Sequence, residues 1–259
     1  MKHLSIFSFI ICILLLFCSC SKDDSINQHS SKLVKAIIPD DNYEYSRMDF
    51  EYDNLGRIID NDGALYSYDQ NTITITYRSS KVIATLNKDG YVSEATWDGG
   101  NEKSHYSYLY NDHGYLIRVT NEWEYTSPTY TSYDYCVYSL FWKDGNLVKV
   151  TNTENDNVIE IKYDDLVKKP NKTNLDILYY WTDVYEFYDD LGLFGFLGKR
   201  SKDLPIYSQD FYNEKNGTYS RNYYEYEFNE DGTISKLCRY HEEDGYYGGP
   251  KFNSWVFSY

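Results

Sequence analysis

The chain has 259 residues, enough for one large β domain or two small ones. It carries 40 Asp and Glu against 25 Lys and Arg, a formal charge of −15, so it repels phosphate backbones and excludes nucleic acid as a partner. Aromatic residues make up 19% of the chain and 31 of them are Tyr, a composition suited to pleated, half-buried surfaces.

The amino-terminal stretch "MKHLSIFSFIICILLLFCSC" places Lys2 before an apolar run from Ile6 to Phe17. That run is too short to span a bilayer as a helix and fits the apolar region of a secretory signal. It ends in Ser19-Cys20, which resembles the lipobox of bacterial lipoproteins. The resemblance implies a signal peptide over residues 1–19 and acylation of Cys20, with the acyl chains as the partner of an outer membrane. "SKDD" follows and is similar to the surface-export signal of lipoproteins in Gram-negative gut commensals, which implies a protein facing the outside of the cell. "DSI" resembles the short O-glycosylation motif of the same organisms, with Ser25 as acceptor. Residues 20–32 then read as a lipidated, flexible tether and 33–259 as the folded domain.

From residue 50 onward one phrase returns: "FEYDNLGRII", "ATLNKDGYVSEA", "YLYNDHGYLIRV", "SLFWKDGNLVKV" and "YEFNEDGTISKL". Its flanks alternate strictly. In "TITITY", Ile73, Ile75 and Tyr77 share one face and three Thr the other. In "YYEYEF", Tyr224, Tyr226 and Phe228 oppose Glu225 and Glu227, and "SWVFSY" repeats the pattern with Trp255, Phe257 and Tyr259. Alternation of this kind marks half-buried strands, and the Asn/Asp-rich glycine turns between them close hairpins. The turn glycines at 56, 90, 114 and 145 are 34, 24 and 31 residues apart, so the hairpins repeat without a strict period. The expected architecture is mainly β, a curved antiparallel sheet of repeated hairpins.

The phrase resembles the YD repeat of bacterial surface and toxin-shell proteins. Together with the lipobox and "LFGFLGKRSKDLP", it is similar over residues 33 to 259 to a family of uncharacterised surface lipoproteins of gut commensals, a domain of unknown function. The resemblance implies a strongly curved antiparallel sheet, a porphyrin-type ligand, and no established enzymatic activity.

Residues 173–198 break the alternation. "TNLDILYYWTDVYEFYDD" sets Ile177, Trp181, Val184, Tyr188 and Leu191 at helical spacing, predicting one helical insertion that ends at Gly192, Gly195 and Gly198. Two roles are open to it. It can plug the hollow side of the sheet and supply core, or act as a lid with Leu193, Phe194, Phe196 and Leu197 over an apolar cleft. The glycines lack the Lys-Ser/Thr pattern of a phosphate loop.

Chemistry is sparse. Beyond the tether the histidines are His105, His113 and His241, and no metalloprotease, serine-hydrolase or zinc-site spacing occurs. Cys136 and Cys238 can form a disulfide in an exported protein or stay as free thiols. Two readings of function stand beside a less favoured enzyme. The first is a non-enzymatic binding module that stacks a flat apolar or aromatic molecule, a porphyrin or haem among them, on Trp181, Tyr188, Phe194 and Phe196. An iron porphyrin would take His105, His113 or His241 as axial ligand. A surface-glycan version uses Trp97, Trp123, Trp142 or Trp255 as platforms. The second reading is a structural or adhesive scaffold that binds nothing small.

Overall fold

The computed structural model describes residues 32–40, 47–153, 157–178, 189–213, 218–243 and 251–259. Cys20, Ser25, Trp181 and Tyr188 lie outside these residues. Sixteen strands run in chain order. The first eight are β1 (Ala36–Pro39), β2 (Met48–Tyr52), β3 (Ile58–Asn61), β4 (Ala64–Asp69), β5 (Thr72–Tyr77), β6 (Ser80–Leu86), β7 (Val92–Asp98) and β8 (Glu102–Tyr110). The rest are β9 (Leu116–Thr126), β10 (Thr131–Lys143), β11 (Asn146–Asn152), β12 (Val158–Lys162), β13 (Tyr207–Asn213), β14 (Thr218–Phe228), β15 (Ile234–Glu243) and β16 (Lys251–Ser258). Each strand pairs antiparallel with its sequence neighbours, and β1 pairs with β16 through Ala36↔Ser258 and Ile37↔Phe257. The expected curved sheet is therefore closed into a barrel. Closure removes both edges, which an open sheet of this size would leave unpaired.

The alternation assigns the faces. Ile73, Ile75, Val82, Ala84, Ala95, Val119, Val150, Ile161, Leu237 and Trp255 point inward and are buried. The outward positions between them hold Lys81, Glu94, Lys103, Arg118, Glu122, Lys149, Glu160, Glu225 and Glu227, spread around the wall and along its height. A lipid-facing wall would instead carry an apolar band, since a Lys or Arg at the bilayer midplane costs about 2–4 kcal/mol. The outward positions also expose Leu65, Ile83, Leu109, Tyr133, Phe141 and Phe252, so charged and apolar side chains are mixed over the outer face. Among the described residues no helix is long and apolar enough to cross a membrane.

Four hairpin turns share one construction, which explains four of the five recurring phrases; the fifth turns at Asp144 and Gly145, both at positive φ. In residues 111–115 the Gly114 amide donates to the Asn111 carbonyl at 2.9 Å and the Asn111 amide to the Tyr115 carbonyl at 3.0 Å. Asn111 Oδ1 accepts the amides of His113 and Tyr115. The turns 53–57, 87–91 and 229–233 repeat the backbone bonds, with Gly56, Gly90 and Gly232 at the same place, all at positive φ between 76° and 82°. The pairing register slips by one residue just before each of these turns. This is a type I turn followed by a bulge whose left-handed residue is glycine.

The aromatic at the end of seven of the eight even-numbered strands has a specific task. The Tyr110 hydroxyl donates to the Val92 carbonyl at 2.6 Å, from the last residue of β8 back to the first of β7. The same link runs from Tyr52 to Val34, Tyr68 to Ile58, Trp142 to Leu116, Tyr163 to Leu147, Tyr226 to Pro205 and Tyr259 to Ile234. Each bond lies at the same end of the barrel and ties the end of an even-numbered strand to the start of the strand before it. β6, which ends in Leu86, is the strand that lacks a ring at this place.

Sixteen strands enclose more space than wall side chains can fill. The connection from β12 to β13 fills one end. Leu175, Ile177, Leu178, Leu191, Leu193, Leu197 and Leu204 are all buried there. The expected helix over 173–198 is seen as one short helix, α1 (Asp189–Leu193), because residues 173–177 are irregular and 179–188 lie outside the described residues. α1 is capped by bonds from the Phe196 amide to the Leu191 carbonyl and from the Gly195 amide to the Gly192 carbonyl, the paired closure of a Schellman motif. From there the chain runs as a belt across the turns. The Phe196 carbonyl accepts from the Val92 amide, the Lys199 amide donates to Gly114, and the Lys202 amide donates to Gly145. "GFLGKRSKDLP" thus meets a successive hairpin every third residue. Gly198 sits where a Cβ would strike the Gly114 carbonyl and the Tyr110 ring. Asn174 completes the seal on the other side, accepting from the Val34 amide and donating to the Tyr52 hydroxyl.

Candidate functional site

The plug decides where a ligand can be met. At its own end, Phe194 packs edge-on against Phe50 and Tyr66 at 5.6 and 5.7 Å, and Phe196 lies against Tyr68. Leu193 and Leu197 are buried beneath them. The lid arrangement, with these four residues over an open cleft, is replaced by core packing.

The charged groups of the plug are also spoken for. Asp176 is buried, and desolvation pushes its carboxyl up to about 6 although Arg200 nearby opposes the shift. Arg200 itself donates to the carbonyls of Thr173 and Leu175. Burial likewise raises Asp190, which accepts from Asn61 Nδ2 at 2.9 Å. Asp203 and Asn146 exchange two hydrogen bonds, and Ser201 joins the Leu147 amide to the Tyr163 hydroxyl. These groups hold the plug to the wall.

The opposite end is a rim of uneven height. β10 has 13 residues and β3 has 4, a difference of about 30 Å of strand. On the tall side three inward-facing residues stand in one row across neighbouring strands: Trp97 on β7, Ser104 on β8 and Trp123 on β9, paired as Trp97↔Ser104 and Ser104↔Trp123. Asp134 on β10 extends the row, opposite Trp123. One step nearer the rim, Tyr125 sits between Glu102 and Ser132. Trp123 stacks on Tyr125 at 6.2 Å, and Tyr125 meets Tyr130 of the β9–β10 turn at 5.6 Å. Trp97 lies over the backbone of Gly99, so closely that a Cβ there would overlap the indole. Unlike Trp255, which is sealed in the core, Trp97 and Trp123 keep partial exposure. Two indoles, two phenols, two carboxylates and the Ser132 hydroxyl therefore gather at this end of the barrel, with buried Ser104 between the indoles.

The remaining expected residues fall elsewhere. Trp142 is tied to the Leu116 carbonyl and packs at a tilt against Tyr115, with ring centroids 4.6 Å apart. The three histidines do not converge. His105 faces outward between buried Ser104 and Tyr106, and His113 is exposed in the turn at the plug end. His241 faces inward, with Nδ1 2.9 Å from Asn222 Oδ1. Among the described residues no group of three metal-ligating side chains comes together. Cys136 and Cys238 are not joined by a disulfide, and they stand on opposite sides of the wall, Cys136 inward on β10 and Cys238 outward on β15. Ser104, Glu102, Asp134, Tyr125 and Tyr130 were not singled out by the sequence. Their association depends on strand register, and the one hint is that Trp97 and Trp123 flank the same strand.

Solved structures similar in form include two porin-like proteins. A porin-like protein from Bacteroides vulgatus aligns with a TM-score of 0.67 at 18% identity, covering 88% of this chain and 98% of that one. A porin-like protein from Bacteroides uniformis aligns with a TM-score of 0.68 at 14% identity, covering 87% and 96%. At these identities the likeness concerns the fold. No family model matches the chain, and no curated protein matches it.

Proposed function

We propose that this chain is a non-enzymatic lipoprotein of the outer membrane, facing the outside of the cell, whose water-exposed barrel binds a neutral carbohydrate at its rim. The observation that carries the binding reading is the Trp97–Ser104–Trp123 row with Tyr125 and Tyr130 beside it. Indole and phenol faces stack on sugar rings, and carboxylates and hydroxyls accept or exchange hydrogen bonds with sugar hydroxyls. Glu102 and Asp134 at the same mouth disfavour an anionic ligand such as a porphyrin bearing carboxylates. The envelope location is supported by the signal-like residues 1–19, by Cys20, and by two structural neighbours from Bacteroides described as porin-like.

Neutral oligosaccharides titrated into the mature protein are expected to change Trp fluorescence. Trp97→Ala and Trp123→Ala should each weaken binding at least tenfold with the β signal in circular dichroism unchanged, and Gly99→Ala should do the same by displacing the Trp97 ring. Binding unaffected by all three would remove the rim site. The porphyrin reading keeps one inward-facing histidine, His241. A Soret shift with added haem that His241→Ala abolishes would move the ligand from the rim to the barrel interior.

A further inference from the structure

At the plug end two loops show aliphatic side chains to water. Leu166 is 94% exposed and Val167 59%, in the segment that leaves β12, and Leu55 is 61% exposed in the turn after β2. Neither loop is slack. Asp164 Oδ1 accepts the amides of Leu166 and Val167 at 2.8 and 2.9 Å, and Asp53 Oδ1 accepts that of Leu55 at 2.9 Å. A single exposed leucine on a protein surface is ordinary. Here the pair Leu166-Val167 is preceded by Asp164 and Asp165 and followed by cations. Lys168 and Lys169 follow directly in sequence, and the belt lays Lys199 and Lys202 over Gly114 and Gly145 at 3.7 and 3.2 Å from a position a Cβ would take. Lys172 reaches the Asp231 carbonyl in the same way. The carboxylates Asp53, Asp89, Asp112, Asp144, Asp164, Asp165, Glu230 and Asp231 share this end with these lysines, Arg57 and Lys88, so its charge is close to balanced, whereas the rim carries Asp98, Glu102, Glu124 and Asp134 against Arg78 and Lys103. Lys32, where the domain begins, is also at this end, paired with Asp231 at 3.2 Å.

We infer that the plug end is a membrane-docking face, with Leu166 and Val167 entering the headgroup boundary of an anionic bilayer and the neighbouring lysines meeting lipid phosphates. Amphipathic surface contacts of this kind draw on apolar burial and on attraction to anionic lipid together. The inference rests on the lipid tether proposed above for its strength. The twelve steps from Cys20 to Lys32 reach at most about 40 Å, so a tethered barrel meets the bilayer at high effective concentration and a weak contact suffices. It also fixes an orientation, with the aromatic rim turned away from the membrane.

The tether and the face are tested separately. Mass spectrometry of protein recovered from the membrane fraction reads acylation of Cys20, and an unmodified Cys20 would remove the tether alone. For the face, the mature chain carrying Cys20→Ser is mixed with vesicles of phosphatidylglycerol and phosphatidylcholine, and with phosphatidylcholine alone. Partition onto the anionic vesicles is expected. It should fall at least tenfold in the Leu166→Asp, Val167→Asp double variant and stay unchanged in Trp97→Ala. About 0.5 M salt, where the screening length is about 4 Å, should also abolish it. Both aliphatics are exposed, so the double variant keeps the native melting temperature. Absence of partition onto anionic vesicles, or equal partition of wild type and double variant, overturns the docking face.

Discussion

Tyr110 sits at the end of β8 with its hydroxyl on the Val92 carbonyl, and that carbonyl lies at the apolar end of the barrel. Removing the hydroxyl leaves the acceptor dry. Tyr110→Phe is therefore expected to cost about 1–3 kcal/mol, read as a lower urea midpoint at unchanged slope. The same buried hydroxyls make a pH prediction. Desolvation holds Tyr52 and Tyr259 up at about 12, and raises Tyr68, Tyr110, Tyr163 and Tyr226 as well. A phenol whose folded value is raised stabilises the fold fully below its unfolded value, near 10, and the contribution fades as pH rises through the folded value. Stability should therefore fall between about pH 10 and 12. Tyrosinate absorbance and loss of the β signal should rise together in one titration; tyrosines that ionise fully while the barrel stays intact would refute the link.

At the scale of the element, the belt is the part most sensitive to backbone change. Gly198 has φ of 94° and no room for a Cβ beside the Gly114 carbonyl and the Tyr110 ring. Gly198→Ala is expected to destabilise by about 2–4 kcal/mol, adding left-handed strain to a steric clash, and to lower the thermal midpoint. Leu86→Ala should cost less than removing Tyr110, since Leu86 ends β6 without the hydroxyl link its counterparts make. Much of this level was legible in the chain. "TITITY" and "YYEYEF" declare their faces by alternation alone, and "NDHG" declares its turn through Asn111 and Gly114. The hydroxyl links were not legible, because a strand-end tyrosine reads equally well as a cross-strand packing residue until its partner carbonyl is placed. The belt was not legible either. "GKRSKDLP" has no periodicity, and its contacts with Gly114 and Gly145 join positions far apart in sequence.

For the whole molecule, a curved sheet and a closed barrel look the same from within any one hairpin. What separates them is the β1–β16 ladder, formed by residues near opposite ends of the chain, and no local pattern encodes it. The aromatic mouth was legible to the extent that Trp97 and Trp123 stand out as large rings in half-buried strands. It became a site only when the register set both beside Ser104 and brought Glu102 and Asp134 alongside. The histidines show the reverse. As residue types they suggested a ligand set, and the wall then divided them between its two sides and one end.

The seam of the barrel has a consequence of its own. The Lys35 amide donates to the Ser258 carbonyl at 2.7 Å, so the point where the domain starts and the point where it finishes are side by side. A short linker from residue 259 to residue 32, with the chain cut instead between Arg78 and Ser79, would leave all sixteen strand pairings in place. Such a rearranged chain should fold and melt as one unit, and it would move the leading end to the rim. Fused there to a membrane signal, it would hang upside down, with Leu166 in the water and Trp97 toward the lipid.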